Sequence, residues 1–235
     1  MMRVKALFAA VLLMGAAAPA VAKDGPPPNW DGLVQVNSDK LEYVYLLPGA
    51  NFKSYTQLLL GTPEVAFAPN WLKDMNNQDW GGDFNMPISK QDAIKKLQAI
   101  QKAWNESFTD GFQKAGYTLT QTPGAGVLRV NSAIANIYIN NPDRGTAGMG
   151  ASFTANAGSA TMIIELRDSA TNTLLARVID SEATQDTGAV SNAVTNLNAF
   201  RELADRWTKI SVNGLKALES VSPIPATLTP GQKLP

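Results

Sequence analysis

Aromatic, acidic and amide side chains with the chemistry of a ligand site are concentrated in one polar segment, residues 69–87, which we predict to be a loop. The candidate ligand-binding residues are Trp71, Asp74, Asn76, Asp79, Trp80 and Asp83. Indole rings beside carboxylates could stack on a sugar and accept hydrogen bonds from its hydroxyls. The same oxygens could bind Ca²⁺, but their spacing does not match the D-x-[DN]-x-[DN]-G loop, so no metal site is predicted. The structural alternative is that the indoles fix a long loop to the core.

A second group of acids borders a predicted hairpin and could include the acid pair of a glycosidase. Its members are Glu165, Asp168, Asp180 and Glu182. Such a pair needs two carboxyl groups about 5 to 10 Å apart across a shared cleft, which spacing in the sequence does not establish. Asp168 lies in a turn sequence, where aspartate commonly accepts local backbone hydrogen bonds. Carboxylate-dependent hydrolysis of an envelope glycan is therefore an alternative rather than the leading hypothesis.

Most other catalytic chemistry is excluded by composition, because the chain contains neither histidine nor cysteine. This removes the Ser-His-Asp triad, imidazole zinc ligands, thiolate nucleophiles and disulfides. Of the 20 basic side chains, Arg3 and Lys5 lie in a predicted signal peptide, which leaves 18 against 20 acidic ones, a net charge of −2. Without a basic stripe, nucleic acid is an unsuitable partner. We predict a protein that is not an enzyme and has no cofactor.

The N-terminal residues 1–22 have the features of a bacterial export peptide. Arg3 and Lys5 precede an apolar run, and Ala20-Val21-Ala22 forms an A-x-A cleavage site. Pro19 shortens the run below the roughly 20 apolar residues that cross a bilayer, so no transmembrane segment is expected after cleavage. We expect cleavage after Ala22 and a periplasmic or secreted location. Because cysteine is absent, no lipid anchor is expected.

The remaining chain is predicted to contain one domain, residues 32–220, between a proline-rich linker, 23–31, and a flexible proline-rich tail, 221–235. Alternating or β-branched segments predict strands at 41–47, 55–60, 64–68 and 127–139, and a hairpin formed by 160–167 and 173–181. A change of apolar phase near Ala133 predicts a β-bulge.

Two long segments have the apolar periodicity of amphipathic helices, residues 90–115 and 193–220. Ser89 is positioned to cap the first, and Gly116 to end it. Gly214 locally weakens the second. The order of strands, helix, strands and helix predicts an α+β fold in which two long amphipathic helices pack on one face of a mainly antiparallel sheet.

Several longer stretches together resemble a known bacterial family. They are Trp30-Asp31-Gly32-Leu33, the run from Tyr43 to Phe52, Tyr55, Glu64-Val65-Ala66-Phe67, Asn70-Trp71, the run from Ile164 to Ser169, and the run from Phe200 to Trp207. This set is similar to the envelope family described as domain of unknown function 3313. The resemblance implies an exported, lipoprotein-like protein of the cell envelope and supplies no catalytic residues. The lack of cysteine departs from the lipoprotein pattern.

The leading hypothesis is a non-catalytic binding or assembly module of the envelope. Its partner would be an envelope protein, a glycan or a small apolar ligand. A structural subunit that pairs through exposed sheet edges is the third hypothesis.

Overall fold

The computed structural model describes residues 26–78, 87–140, 158–183 and 193–234, and the predicted signal peptide lies outside them. These residues form one ten-stranded sheet and three α-helices. The strands are β1 Asn29–Trp30, β2 Leu33–Asn37, β3 Tyr43–Leu46, β4 Gln57–Leu60, β5 Glu64–Phe67, β6 Thr118–Leu119, β7 Val127–Ile139, β8 Gly158–Asp168, β9 Leu174–Ala183 and β10 Gln232–Lys233. The helices are α1 Trp71–Asn77, α2 Lys90–Lys114 and α3 Ala193–Val221. The fold is α+β.

The sheet is mixed, so the expectation of a mainly antiparallel sheet is wrong. Its order is β1-β2-β3-β9-β8-β7-β4-β6, with β10 beside β2 and β5 beside β7. Neighbouring strands from β2 to β7 along this path pair antiparallel. In contrast, β4 and β5 both run parallel to β7, β6 runs parallel to β4, and β10 runs parallel to β2. The physical reason is the connection: α1 and α2 lie between β5 and β7, and a helical crossover allows the next strand to run in the same direction.

The predicted hairpin is present as β8 and β9, which pair antiparallel from Ser159 opposite Ala183 to Arg167 opposite Leu174. The irregularity in β7 lies slightly later than the predicted position at Ala133. The pairing with β8 shifts between Ala135 and Tyr138, where Asn136 has a positive φ of 50°. An asparagine tolerates this left-handed conformation better than most residues.

The caps of α2 follow the local sequence. The Ser89 hydroxyl accepts a hydrogen bond from the Asp92 backbone N–H at 3.1 Å, which satisfies one of the unpaired donors of the first turn. Gly116, two residues beyond Lys114, has a φ of 92° that suits glycine.

Both long helices are fixed to the same face of the sheet by buried tryptophans. Trp104 on α2 donates its indole N–H to Ser132 on β7 at 2.9 Å. Trp207 on α3 donates to Asp180 on β9 at 2.8 Å. The two indoles also meet each other, with ring centroids 6.2 Å apart in an edge-to-face arrangement. The tryptophans therefore join the two helices and the sheet in one core.

Both predicted terminal segments contact the body of the fold. Upstream, Trp30 lies in β1, and the Tyr45 hydroxyl donates to the Pro27 carbonyl at 2.9 Å. Downstream, Ile224 is buried and its N–H donates to the Ala50 carbonyl at 2.7 Å. The tail then returns as β10, so residues assigned by the sequence to a linker and a flexible tail make sheet and core contacts.

Among the described helices, none combines the length and the apolar character needed to cross a membrane.

We predict that Gly111→Ala destabilises the fold, because the new Cβ would overlap the Thr208 methyl where α2 and α3 meet. The expected loss is about 1 to 3 kcal/mol in the free energy of unfolding. Thr208→Ser removes that methyl and keeps the hydroxyl, so it should recover much of the loss in the double variant. Urea unfolding measures both effects.

Gly214→Ala is the matched control, because a Cβ at this second helical glycine meets nothing within 4 Å. It should raise stability by about 0.5 to 1 kcal/mol. Equal effects of the two alanine substitutions would contradict the proposed overlap at Gly111.

Candidate functional site

Two of the candidate carboxylates of the hairpin, Asp180 and Glu165, lie on opposite faces of the sheet. Asp180 is opposite Met162 in the pairing of β8 with β9, and both side chains point toward the helices, where Met162 is fully buried. Glu165 is three residues farther along β8 and therefore points to the other face, because side chains alternate along a strand. These two acids do not share a cleft of the kind that a glycosidase pair requires.

Asp180 and Glu182 both join β9 to neighbouring elements. Asp180 is 5% exposed and accepts from the Glu42 backbone N–H at 3.0 Å as well as from Trp207. Glu182 forms an ion pair with Arg206 on α3 at 3.1 Å. Asp180 is thus used by the fold, since a buried acceptor without a donor would be costly. Glu182 is 30% exposed, and its ion pair contributes less because water screens it.

Glu165 is the centre of a buried charged network that sequence reasoning missed. One of its oxygens accepts two hydrogen bonds from Arg177, at 3.0 and 2.8 Å, and the other accepts two from Arg167 at the same distances. Arg177 also donates to Asp31 at 2.8 Å, and its guanidinium lies 4.2 Å from the centre of the Trp30 ring. The network joins the β1–β2 turn to β8 and β9.

Little in the sequence indicates this network, because Asp31 and Arg177 are 146 residues apart. The family-like stretches contain Trp30-Asp31 and Glu165, but nothing in them shows that these residues meet. Only the pairing of Glu165 with Arg177 across β8 and β9 brings the acid and the base together.

Asp168 organises the hairpin turn, as the sequence favoured. Its Oδ1 accepts from the backbone N–H groups of Ala170 and Thr171 at 2.9 and 2.8 Å, and its Oδ2 accepts from the Tyr55 hydroxyl at 3.0 Å. The Thr171 N–H is the main reason that the pKa of Asp168 is lowered, and the Tyr55 hydroxyl adds to it. Burial, followed by the bond to Asp168, raises the pKa of Tyr55 to about 12.

The segment 69–87, which the sequence predicts to be a loop, contains helix α1. Trp71, the first residue of this helix, belongs to the core. Trp71 is 1% exposed, stacks on Phe67 with ring centroids 3.8 Å apart, and donates its indole N–H to the Ile139 carbonyl at 3.1 Å. The Asn76 side chain accepts from the Ile88 N–H at 2.8 Å and donates to the Ile88 carbonyl at 3.0 Å. Asp74 is exposed on α1.

The other members of the candidate set, Asp79, Trp80 and Asp83, lie outside the described residues. Of the six, the structure thus places Trp71 and Asn76 in structural contacts, and a ligand-binding role for the segment stays a prediction. The described residues include no group of three or more acidic side chains arranged to hold a metal ion.

A cavity of about 340 Å³ lies between the sheet and the C-terminal half of α3. Its walls are apolar and come from β3, β8, α2 and α3; they include Leu46, Phe108, Phe112, Ile164, Leu166 and Leu215. The exposed residues of its lining mark the mouth: residues 37–40, Asn213, Ala217 and Lys233. This volume is at the lower end of the range of about 300 to 1,000 Å³ that is typical of small-molecule sites.

Gly214 contributes to this open space. It lines the cavity, and a Cβ built there meets nothing within 4 Å. The sequence marks Gly214 as a weak point in a helix, but it does not show which surface the missing side chain leaves open.

The model of one protein family, described as Protein of unknown function (DUF3313), matches residues 28–210. The chain belongs to this family. The resemblance found in the sequence is thereby confirmed. In this DUF3313 protein the family match ends at Ile210, so the α3 wall of the cavity after that residue and the C-terminal segment at the mouth lie beyond it.

Solved structures similar to the DUF3313 chain share little sequence with it. A PelC dodecamer from Paraburkholderia phytofirmans is 8% identical, with 73% of this chain and 97% of that chain covered and a TM-score of 0.34. Protein XCC0632 from Xanthomonas campestris, of family DUF330, is 12% identical, with 79% and 91% covered and a TM-score of 0.41. A putative neuraminyllactose-binding hemagglutinin homolog from Helicobacter pylori is 11% identical, with 74% and 92% covered and a TM-score of 0.36. No curated protein matches the chain.

We predict that Asp168→Asn weakens the acid dependence of stability. Because the pKa of Asp168 is below its ordinary value of 3.8 in the folded protein, its contribution is present above that value and is lost as pH falls through the folded pKa. At neutral pH the free energy of unfolding of the variant should be about 1 kcal/mol lower, because an amide replaces a charged acceptor. Below pH 4 its deficit relative to the wild type should shrink.

Urea unfolding from pH 7 to pH 3 measures the difference. Tyr55→Phe removes one donor and should produce a smaller change of the same sign. A constant deficit of the Asp168→Asn variant across this range would contradict the assignment.

Proposed function

We propose that this DUF3313 protein is a non-catalytic binding protein that holds a small apolar ligand between its sheet and α3. The observation that carries the proposal is the cavity of about 340 Å³, which has apolar walls and a polar mouth. Apolar walls offer few hydrogen-bond partners to water, so an apolar ligand gains by replacing it. Binding sites of small molecules usually combine such a concave apolar lining with a few polar groups.

Ligand size follows from the volume. The cavity volume is at the lower end of the range for small-molecule sites, which favours a ligand with one short chain. A single alkyl chain of about ten carbons is therefore a suitable probe. We also propose an envelope location, supported by the export-type sequence of residues 1–22.

The arrangement of the acids favours recognition over the hydrolase alternative. Glu165 and Asp180 lie on opposite faces of the sheet, and each is held by donors of the fold. Pairing through sheet edges is also less well supported, because the outermost strands are short: β1, β6 and β10 have two residues each and β5 has four. Very short edge strands are one way in which proteins avoid edge-to-edge association.

We expect 1-decanol, a neutral ten-carbon probe, to bind and to stabilise the purified protein. At a free concentration one hundred times Kd, the gain is about 2.7 kcal/mol, which raises Tm by roughly 5 to 10 °C for a chain of this size. Calorimetric titration should give a negative heat-capacity change, the mark of apolar burial. A Tm that does not respond to decanol at its solubility limit would contradict the proposal.

Gly214→Leu should block this site, because its side chain begins in open space at the cavity lining. The variant should keep or raise the Tm of the ligand-free protein and lose most of the decanol response. Ser220→Leu is the control, since Ser220 is exposed on α3 and does not line the cavity. An undiminished response of the Gly214→Leu variant would place the ligand elsewhere.

A further inference from the structure

The charges at the mouth of the cavity are unequal in sign. The charged lining residues are Asp39, Lys40 and Lys233, two ammonium groups against one carboxylate. All three are exposed, whereas the deeper lining is apolar. A ligand with its apolar part in the cavity would therefore place its other end beside a net positive charge.

One of the two lysines is paired, but weakly. Lys233 Nζ lies 2.7 Å from Asp39 Oδ2, with the two side chains 65% and 74% exposed. Ion pairs this accessible to water contribute little to stability, so a stronger anion could displace the Asp39 carboxylate from the ammonium at little cost.

Lys40, the other lysine, has no such partner among the described residues. The backbone N–H of Lys40 donates to the Ser38 hydroxyl at 3.2 Å, which helps to define the loop after β2. In the part of the chain that the structure describes, no carboxylate lies within ion-pair distance of the Lys40 ammonium. Lys40 is thus available to a negative group at the mouth.

We propose that the ligand is a single-chain amphiphile with an anionic head group, held with its alkyl chain in the cavity and its head between Lys40 and Lys233. This inference rests on the proposed function and deepens it. Carboxylate and phosphate heads share the required chemistry, since lysine recognises either as a point charge. A hydrogen bond to a charged group is stronger than a neutral one, which makes the head group a source of specificity.

Calorimetric titration with four probes of equal chain length tests the head group: decanoate, decyl phosphate, 1-decanol and decylammonium. The two anions should bind about tenfold more tightly than decanol, and decylammonium should bind most weakly. The ratio of the two anion affinities identifies the head that the mouth prefers. Added salt should weaken the anions and leave decanol unchanged, because the lysines are exposed.

Substitutions at the mouth of the cavity identify the residues that cause the preference for an anionic head group. Lys40→Gln with Lys233→Gln should lower decanoate affinity about tenfold and leave decanol affinity within about twofold, which also shows that the variant is folded. Asp39→Asn should raise decanoate affinity by about threefold, because it removes the competing carboxylate. Lys102→Gln with Lys114→Gln, on exposed positions of α2, is the charge-matched control and should change neither.

The outcomes separate the two proposals. Equal affinities for decanoate and decanol, or a decanoate affinity unchanged in the Lys40→Gln/Lys233→Gln variant, would overturn the head-group assignment and leave the apolar site standing. If no decyl compound binds, both proposals fail. A concentration-dependent dimer that excludes every probe would assign the cavity to a second copy of the chain and would likewise overturn both.

Discussion

The architecture depends on two buried hydrogen bonds from indole N–H groups, Trp104 to Ser132 and Trp207 to Asp180. A tryptophan buried in a core needs an acceptor, and a buried carboxylate needs donors, so each pair satisfies two groups that would be costly alone. Because the acceptors lie on β7 and β9, the bonds set where each helix crosses the sheet. Trp207 holds the middle of α3, and the helix continues past it as one wall of the cavity.

The same need for partners explains why Glu165 and Asp180 are unsuited to act together as a glycosidase pair. Asp180 is used on the helix face, and Glu165 is saturated on the other face by Arg167 and Arg177. Arg177 in turn stacks on Trp30 and pairs with Asp31. The charged groups of Glu165 and Arg177 therefore fix the β1–β2 hairpin to the sheet.

The region with spare space is the far end of the helix layer, where α3 carries Gly214 and the chain returns as β10. There the apolar faces of the sheet and α3 do not fill the interior, and the exposed lysines lie at the surface of the gap. An apolar interior beside a cationic mouth fits an amphiphile with a negative head better than a sugar, which needs many polar contacts. We therefore propose this cavity, rather than residues 69–87, as the ligand site.

Features that depend on neighbouring residues could be predicted from the amino-acid sequence: the Ser89 cap and Gly116 end of α2, the β8–β9 hairpin with Asp168 in its turn, and the family. These features arise from local dihedral preferences, short-range hydrogen bonds and apolar periodicity. Three features became visible only in the folded chain: β4 and β5 run parallel to β7, Trp71 belongs to the core, and the cavity lies beside Gly214. The physical reason is that strand direction, burial and empty space are set by contacts between segments far apart in the chain, which no local pattern records.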